Sequence, residues 1–100
     1  MNMQQMMAQA QKMQRELKKA QAELAKKEFI VSKGGAVTVV VYGNKQVKSV
    51  EIDKEAFTED SREMIEELIP IAINEALEEI AAEEEAINER ITGQSGGFGF

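Results

Sequence analysis

The first 27 residues constrain this chain most, because they carry an apolar seam that a lone helix cannot bury. Met3, Met6, Ala10, Met13, Leu17, Ala20 and Leu24 recur at alternating spacings of three and four, the a and d positions of a heptad. The residues between them are mostly Gln, Lys, Glu and Ala, and neither Gly nor Pro occurs before Gly34, so the sequence predicts a helix over 2–27. At 1.5 Å per residue that helix is roughly 37 Å long, against about 26 Å for twice the radius of gyration of a compact chain of this length. It therefore projects from the body of the fold or lies along another subunit. About three and a half heptads with Met and Ala at many seam positions make a weak coiled coil, so the rest of the chain is expected to cover the seam.

The opposite side of the same helix is basic. With Met3 at a, Lys12, Lys19 and Lys26 fall at c, Lys18 at b and Arg15 at f, while Glu16 and Glu23 fall at g and Lys27 takes the d register near the helix end. Residues 1–27 hold six cations against two carboxylates, whereas residues 55–100 hold thirteen carboxylates against Arg62 and Arg90. The total of −6 does not describe the helix, because exposed charges are largely screened beyond about 8–10 Å at physiological salt. The basic side has two readings. It is a solvated surface laced by Glu16–Lys19 and Glu23–Lys26 or Glu23–Lys27 pairs, or it is a surface for an anion. Placement of five cations at b, c and f favours the second, and in a dimer two such helices held apart by a sheet would present paired basic surfaces to a duplex. The Met-rich seam likewise reads as core or dimer packing, or as an adaptable binding groove.

After Lys27 the composition turns to β. Strands are predicted over 28–33, 36–42 and 46–53, separated by a Gly34-Gly35 break and a Gly43-Asn44 hairpin turn in which Gly43 suits positive φ. Residues 36–42 are apolar at nearly every position, as expected of a central strand covered on both faces. The last strand sets Val50 and Ile52 against Ser49, Glu51 and Asp53, the pattern of an edge with one solvated face. Thr58-Glu59-Asp60-Ser61 supplies capping residues and carboxylates for a second helical region over 59–91. Its broad apolar stripe from Met64 to Ile80 suits packing on a sheet, with a kink or restart expected near Ile69–Pro70. Residues 92–100 read as a flexible Gly-rich tail. The expected fold class is α+β: a single domain over 1–91, ordered α-β-β-β-α, with a three-stranded antiparallel sheet, long terminal helices and no tandem repeat.

Composition removes most chemistry. There is no His and no Cys, hence no imidazole base, no thiolate, no disulfide and no zinc-thiolate site. Glu83, Glu84 and Glu85 point about 100° apart on a helix and cannot chelate one ion together. Glu75 with Glu79, or Glu79 with Glu83, shares a helix face but reads as solvated surface. Gly34-Gly35 and Gly96-Gly97 lack the strand–glycine–helix context of a phosphate loop. The apolar runs are too short to span a bilayer, and a soluble, cytoplasmic protein is expected. No catalytic constellation is found, so the chain is read as no enzyme, with no cofactor, no metal and no small-molecule substrate.

The order of these segments resembles the YbaB/EbfC family of bacterial nucleoid-associated proteins. Met3-Gln4-Gln5-Met6-Met7 with the following QAQKMQRELKKAQAEL is similar to that family's first helix. GGAVTVVVYGNKQVKSVEID is similar to its hairpin and MIEELIPIAINEALEEI to its second helical segment, although Pro70 departs from the usual uninterrupted run. The Gly-rich stretch after Thr92 is also in keeping. The resemblance spans nearly the whole chain and implies a dimer with two projecting helices, often likened to tweezers, that binds DNA and takes part in nucleoid organisation or transcription. The resulting expectation is a homodimer in the cytoplasm, at the nucleoid, that binds double-stranded DNA mainly through backbone phosphates. Heptad position assigns Lys12, Arg15, Lys18, Lys19 and Lys26 as its DNA-binding residues; the resemblance supports the helix that carries them. The alternative is a protein-interaction module whose basic helix docks an acidic partner, or the acidic segment Glu78–Glu89 of another copy.

Overall fold

The Val-rich runs and the two glycine breaks fold as a meander, and the helices flank it. The computed structural model describes residues 2–93. Helix α1 (Met3–Lys26) leads into strands β1 (Glu28–Lys33), β2 (Val37–Tyr42) and β3 (Val47–Ile52). Two short 3-10 turns (Lys54–Ala56 and Glu59–Ser61) then precede helix α2 (Arg62–Thr92). The sheet has the order β1-β2-β3 with both pairings antiparallel, so the α-β-β-β-α architecture expected from the sequence is the one observed. The Gly-rich tail predicted there lies, beyond Gly93, outside the described residues.

A helix of 31 residues is about 46 Å long, whereas six-residue strands span about 20 Å. The first half of α2 accordingly covers β1 and β2, burying Ile65, Ala72, Ala76 and Ile80 against Phe29, Val31, Val37, Val39 and Val41. The small side chains of Ala72 and Ala76, both fully buried, let the helix approach the sheet closely. Each buried Val or Ile contributes about 1.5–3 kcal/mol relative to exposure. The second half of α2 overhangs the sheet and meets α1, where Ile87 joins Ala20 and Leu24 in the same core. The heptad seam is thus covered by α2 of the same chain from Met13 to Leu24, while Met3, Met6 and Ala10 stay exposed. Because α1 extends past the end of α2, the molecule is drawn out to 69 × 25 × 14 Å with a radius of gyration of 19.2 Å, well above the ~13 Å of a compact chain of this length.

Four local expectations are corrected. The β2–β3 turn takes its positive φ at Lys45 (75°), as in a three-residue hairpin whose last residue is left-handed. Gly43 is required for a different reason: a Cβ there would lie 1.8 Å from the Leu24 carbonyl oxygen. The turn is pressed onto the end of α1, where the Gly43 N–H donates to the Lys27 carbonyl (2.9 Å) and the Asn44 N–H to that of Ala25 (3.3 Å). Secondly, β2 is central but covered on one face only. Val37, Val39 and Val41 are buried, while Thr38, Val40 and Tyr42 are half-buried because no element lies over them. Thirdly, the apolar face of β3 is not buried: α2 stops short of it, leaving Val47, Val50 and Ile52 at 46%, 40% and 37% exposure. Fourthly, α2 runs without restart through Pro70. Pro70 and Glu66 are both exposed, so the carbonyl that loses its helical donor faces water.

The helix ends carry their own signals. Asn2 caps α1 in a reciprocal box: its Oδ1 accepts from the Gln5 N–H (2.8 Å) and its N–H donates to Gln5 Oε1 (3.3 Å). Thr58 Oγ1 accepts from the Ser61 N–H (3.2 Å), but the turn it caps is 3-10, and α2 proper begins at Arg62. The turn geometry predicts opposite outcomes for neighbouring substitutions. Gly43→Ala forces a backbone collision and is expected to cost about 1–3 kcal/mol or more in urea unfolding. Lys45→Gly relieves a left-handed non-glycine residue and is expected to be neutral or to stabilise by up to about 1 kcal/mol.

Candidate nucleic-acid interface

The expected contact surface is built on α1, and its geometry follows from which side of that helix is already occupied. Leu24 and Ala20 are buried, Leu17 and Met13 are half-buried along the seam facing α2, and the side turned away is solvated. At about 100° per residue, Lys12, Arg15, Lys19 and Lys26 fall within a sector of about 60° opposite the seam, with Lys18 about 60° further round. All five are exposed. From Lys12 to Lys26 the row extends about 21 Å along the helix.

Ion pairing separates these five from most other cations. Lys27 pairs with Glu83 and stands 5.1 Å from the centroid of the Phe29 ring. Lys33 pairs with Glu75 at 2.8 Å, and Lys45 with Glu84 at 3.7 Å. Lys48 pairs with Glu28 at 3.0 Å, a hydrogen bond and charge that raise its pKa, with Tyr42 adding to the effect. Arg62 pairs with Glu66 within α2 at 3.7 Å. Among the described residues none of Lys12, Arg15, Lys18, Lys19 and Lys26 takes part in an ion pair, and the alternative Glu16–Lys19 and Glu23–Lys26 pairings do not form. The acidic stretch of α2 nearest the sheet is therefore neutralised in part by Lys27, Lys33 and Lys45, while the α1 cations keep their charge uncompensated. Such exposed pairs contribute only about 0–1 kcal/mol each, so their larger effect is on the distribution of potential.

The structure also brings up a cation that sequence spacing did not single out. Arg90, in the last turn of α2, lines a cleft with Ala20, Glu23 and Leu24 of α1 and makes no ion pair with a described carboxylate. Its position in a mostly acidic helix hid it; the antiparallel packing of α2 on α1 places it beside the basic arm. The surface offers charge without a reading code. The rest of α1 is Met, Gln, Ala, Leu and two Glu, no aromatic side chain lies on it, and cations at these spacings suit backbone phosphates rather than base edges. Among the described residues no group of three or more acidic side chains is arranged to hold a metal ion, and no helix is long and apolar enough to cross a membrane.

Comparison with known proteins identifies the family of the chain. The model of the YbaB/EbfC DNA-binding family matches residues 1–95. A nucleoid-associated protein of Clostridium novyi is 45% identical over 96 residues, covering 93% of this chain and 82% of its own. One from Ruminiclostridium cellulolyticum is 44% identical over 100 residues, covering 97% and 85%. One from Clostridium botulinum strain Hall is 47% identical over 95 residues, covering 92% and 82%. The matched family is a DNA-binding family, and these relatives are nucleoid-associated proteins.

Proposed function

The chain belongs to the YbaB/EbfC DNA-binding family, and from that premise we propose that it acts as a homodimer at the nucleoid, gripping double-stranded DNA through backbone phosphates. The observation that carries this reading is the row of unpaired cations Lys12, Arg15, Lys18, Lys19 and Lys26 on the solvated side of α1. Its opposite side is held by α2, so the charges are carried on a supported rod. Duplex DNA presents about one negative charge per 1.7 Å of axis, and a straight row of Lys and Arg meets such a line without needing a base sequence. Influence on nucleoid organisation or transcription would follow from occupancy and shape rather than from a base-specific site.

Dimerisation is supported by the uncovered apolar edge of the body. Val47, Val50 and Ile52 lie on the sheet face that carries buried Val37, Val39 and Val41, and Phe57, just beyond β3, is 74% exposed. A contiguous apolar edge of this kind suits a self-complementary contact between two copies about a two-fold axis. Ile52 and Phe57 lie at the end of the sheet opposite the turn that is seated on α1, so two copies joined there would display two basic arms. Of the docking alternative, only the form that seats the basic helix on Glu78–Glu89 of another copy is weakened, by the engagement of Glu83 and Glu84 with lysines of the same chain.

The two halves of the proposal are tested separately. Changing Lys12, Arg15 and Lys19 together to Glu is expected to abolish duplex binding in a gel-shift titration while light scattering still reports the dimer mass; retained affinity would sink the assignment. With about 6–10 phosphates contacted per dimer, affinity should fall roughly 10³–10⁵-fold between 50 and 200 mM salt, and a shallow slope would count against phosphate contact. Val50→Lys is expected to give the monomer mass without unfolding the sheet, since the side chain is already 40% exposed in the single chain. An unchanged dimer in that variant would move the interface elsewhere. If capture from nuclease-treated lysate kept a bound acidic protein, the docking alternative would gain.

A further inference from the structure

Sulfur is concentrated at the free end of α1. Five of the six methionines fall within the first 13 residues, and Met3, Met6 and Met7 are 76%, 57% and 57% exposed. Packing within the chain does not account for them, since the seam positions that α2 covers beyond Met13 are Leu17, Ala20 and Leu24. Their spacing of i, i+3 and i+4 puts the three on one side of the helix. At about 100° per residue, Met6 and Met7 fall about 60° and 40° to either side of Met3, one turn further along. Ala10 follows in the next turn between them and is exposed, so no bulky side chain closes the space. Side chains three and four apart have Cβ atoms roughly 5–6 Å apart, and helical methionines lean towards the N-terminus, which inclines Met6 and Met7 back over the turn that begins at Met3. The rotatable bonds of each thioether suffice to bring three sulfurs to one point.

We propose that Met3, Met6 and Met7 form a three-thioether site for a soft monovalent cation, Cu(I). Donor chemistry selects the ion. Thioether sulfur is a neutral, polarisable ligand that favours Cu(I), whereas Zn²⁺ takes thiolate, imidazole or carboxylate and Mg²⁺ or Ca²⁺ takes oxygen. The chain has no Cys and no His, so methionine is its only soft ligand. Harder donors are distant along α1: its first carboxylate, Glu16, lies about 13 Å of helix rise beyond Met7. The nearest basic side chain, Lys12, is about 8 Å further along than Met7 and on the opposite side of the helix, which limits its repulsion of a bound cation. The positive end of the helix dipole also opposes a cation, but Asn2 Oδ1 accepts from the Gln5 N–H (2.8 Å) and blunts it. A set of neutral donors in such a place suits an ion of single charge. The basic row lies on the other side of α1, so a bound ion leaves the phosphate surface open, and the proposal stands independently of the DNA-binding reading.

The test uses the full chain with ¹³C-labelled methionine methyls, and Ag(I), a soft cation of the same charge that is inert to redox cycling, as the first probe. The Met3, Met6 and Met7 methyls are expected to shift together and to saturate at one ion per chain, while Met64 on the body does not move. Cu(I) is then titrated without oxygen against a chromophoric Cu(I) chelator. Its affinity is expected to fall several-fold in each of Met3→Leu, Met6→Leu and Met7→Leu, to be lost when all three are changed, and to be unaltered in Met13→Leu. Leucine matches methionine in volume and helix propensity, so the variants keep α1, which an unchanged circular dichroism spectrum and the unmoved Met64 signal verify. Graded shifts at every methionine without saturation, no withdrawal of Cu(I) from the chelator, or affinity retained by the triple variant would overturn the proposal. Saturation at half an ion per chain would overturn it too, by placing the ion between two copies.

Discussion

The arrangement depends on one backbone contact, the seating of the β2–β3 turn against the last turn of α1. Gly43 lies so close to the Leu24 carbonyl that no side chain fits between them, and amides of the turn donate to the carbonyls of Lys27 and Ala25. This junction sets where α1 leaves the body. It also brings Leu24 and Ala20 under the overhanging half of α2, where Ile87 completes the packing. Once α1 is held along that line, its seam faces inwards and its b, c and f positions face water. The basic row is presented by exclusion: it occupies the side that the apolar contacts do not use.

Charge is then distributed by the same packing. Lys27 at the foot of the arm, Lys33 at the end of β1 and Lys45 in the turn each meet a carboxylate of α2, linking the helix to the sheet and removing part of the negative potential near the arm. The cations of α1 meet none. A chain of net charge −6 thereby carries a local basic surface, which a sum over the sequence conceals because interactions between exposed charges decay over about 8 Å at physiological ionic strength.

Much of this was legible in the residues because it rests on periodicity. The 3–4 seam and absence of breakers identified α1, the alternation and glycine breaks identified three strands, and heptad arithmetic placed Lys12, Arg15, Lys18, Lys19 and Lys26 on one side. What escaped were features that depend on a neighbour distant in the chain. Gly43 looked like a turn glycine needed for φ, whereas its role is to admit Leu24, nineteen positions earlier. Pro70 looked like a break, yet its exposure lets water take up the freed carbonyl while apolar residues on both sides of it hold the helix to the sheet. Arg90 was lost among carboxylates until α2 was laid antiparallel to α1.

The sequence by itself determined the elements, their order and the two-sided character of α1, since these follow from local backbone preference and from the period at which apolar residues recur. Tertiary structure alone decided what covers each apolar side. Alternation on β3 says that Val50 and Ile52 share a face; only the path of α2 over β1 and β2 leaves that face uncovered. The heptad says that α1 needs a partner; only the excess length of α2 over the strands it covers supplies one from within the chain and leaves Met3, Met6 and Met7 beyond its end. The reason is physical: burial is a property of pairs of surfaces, and a residue pattern specifies one member of each pair.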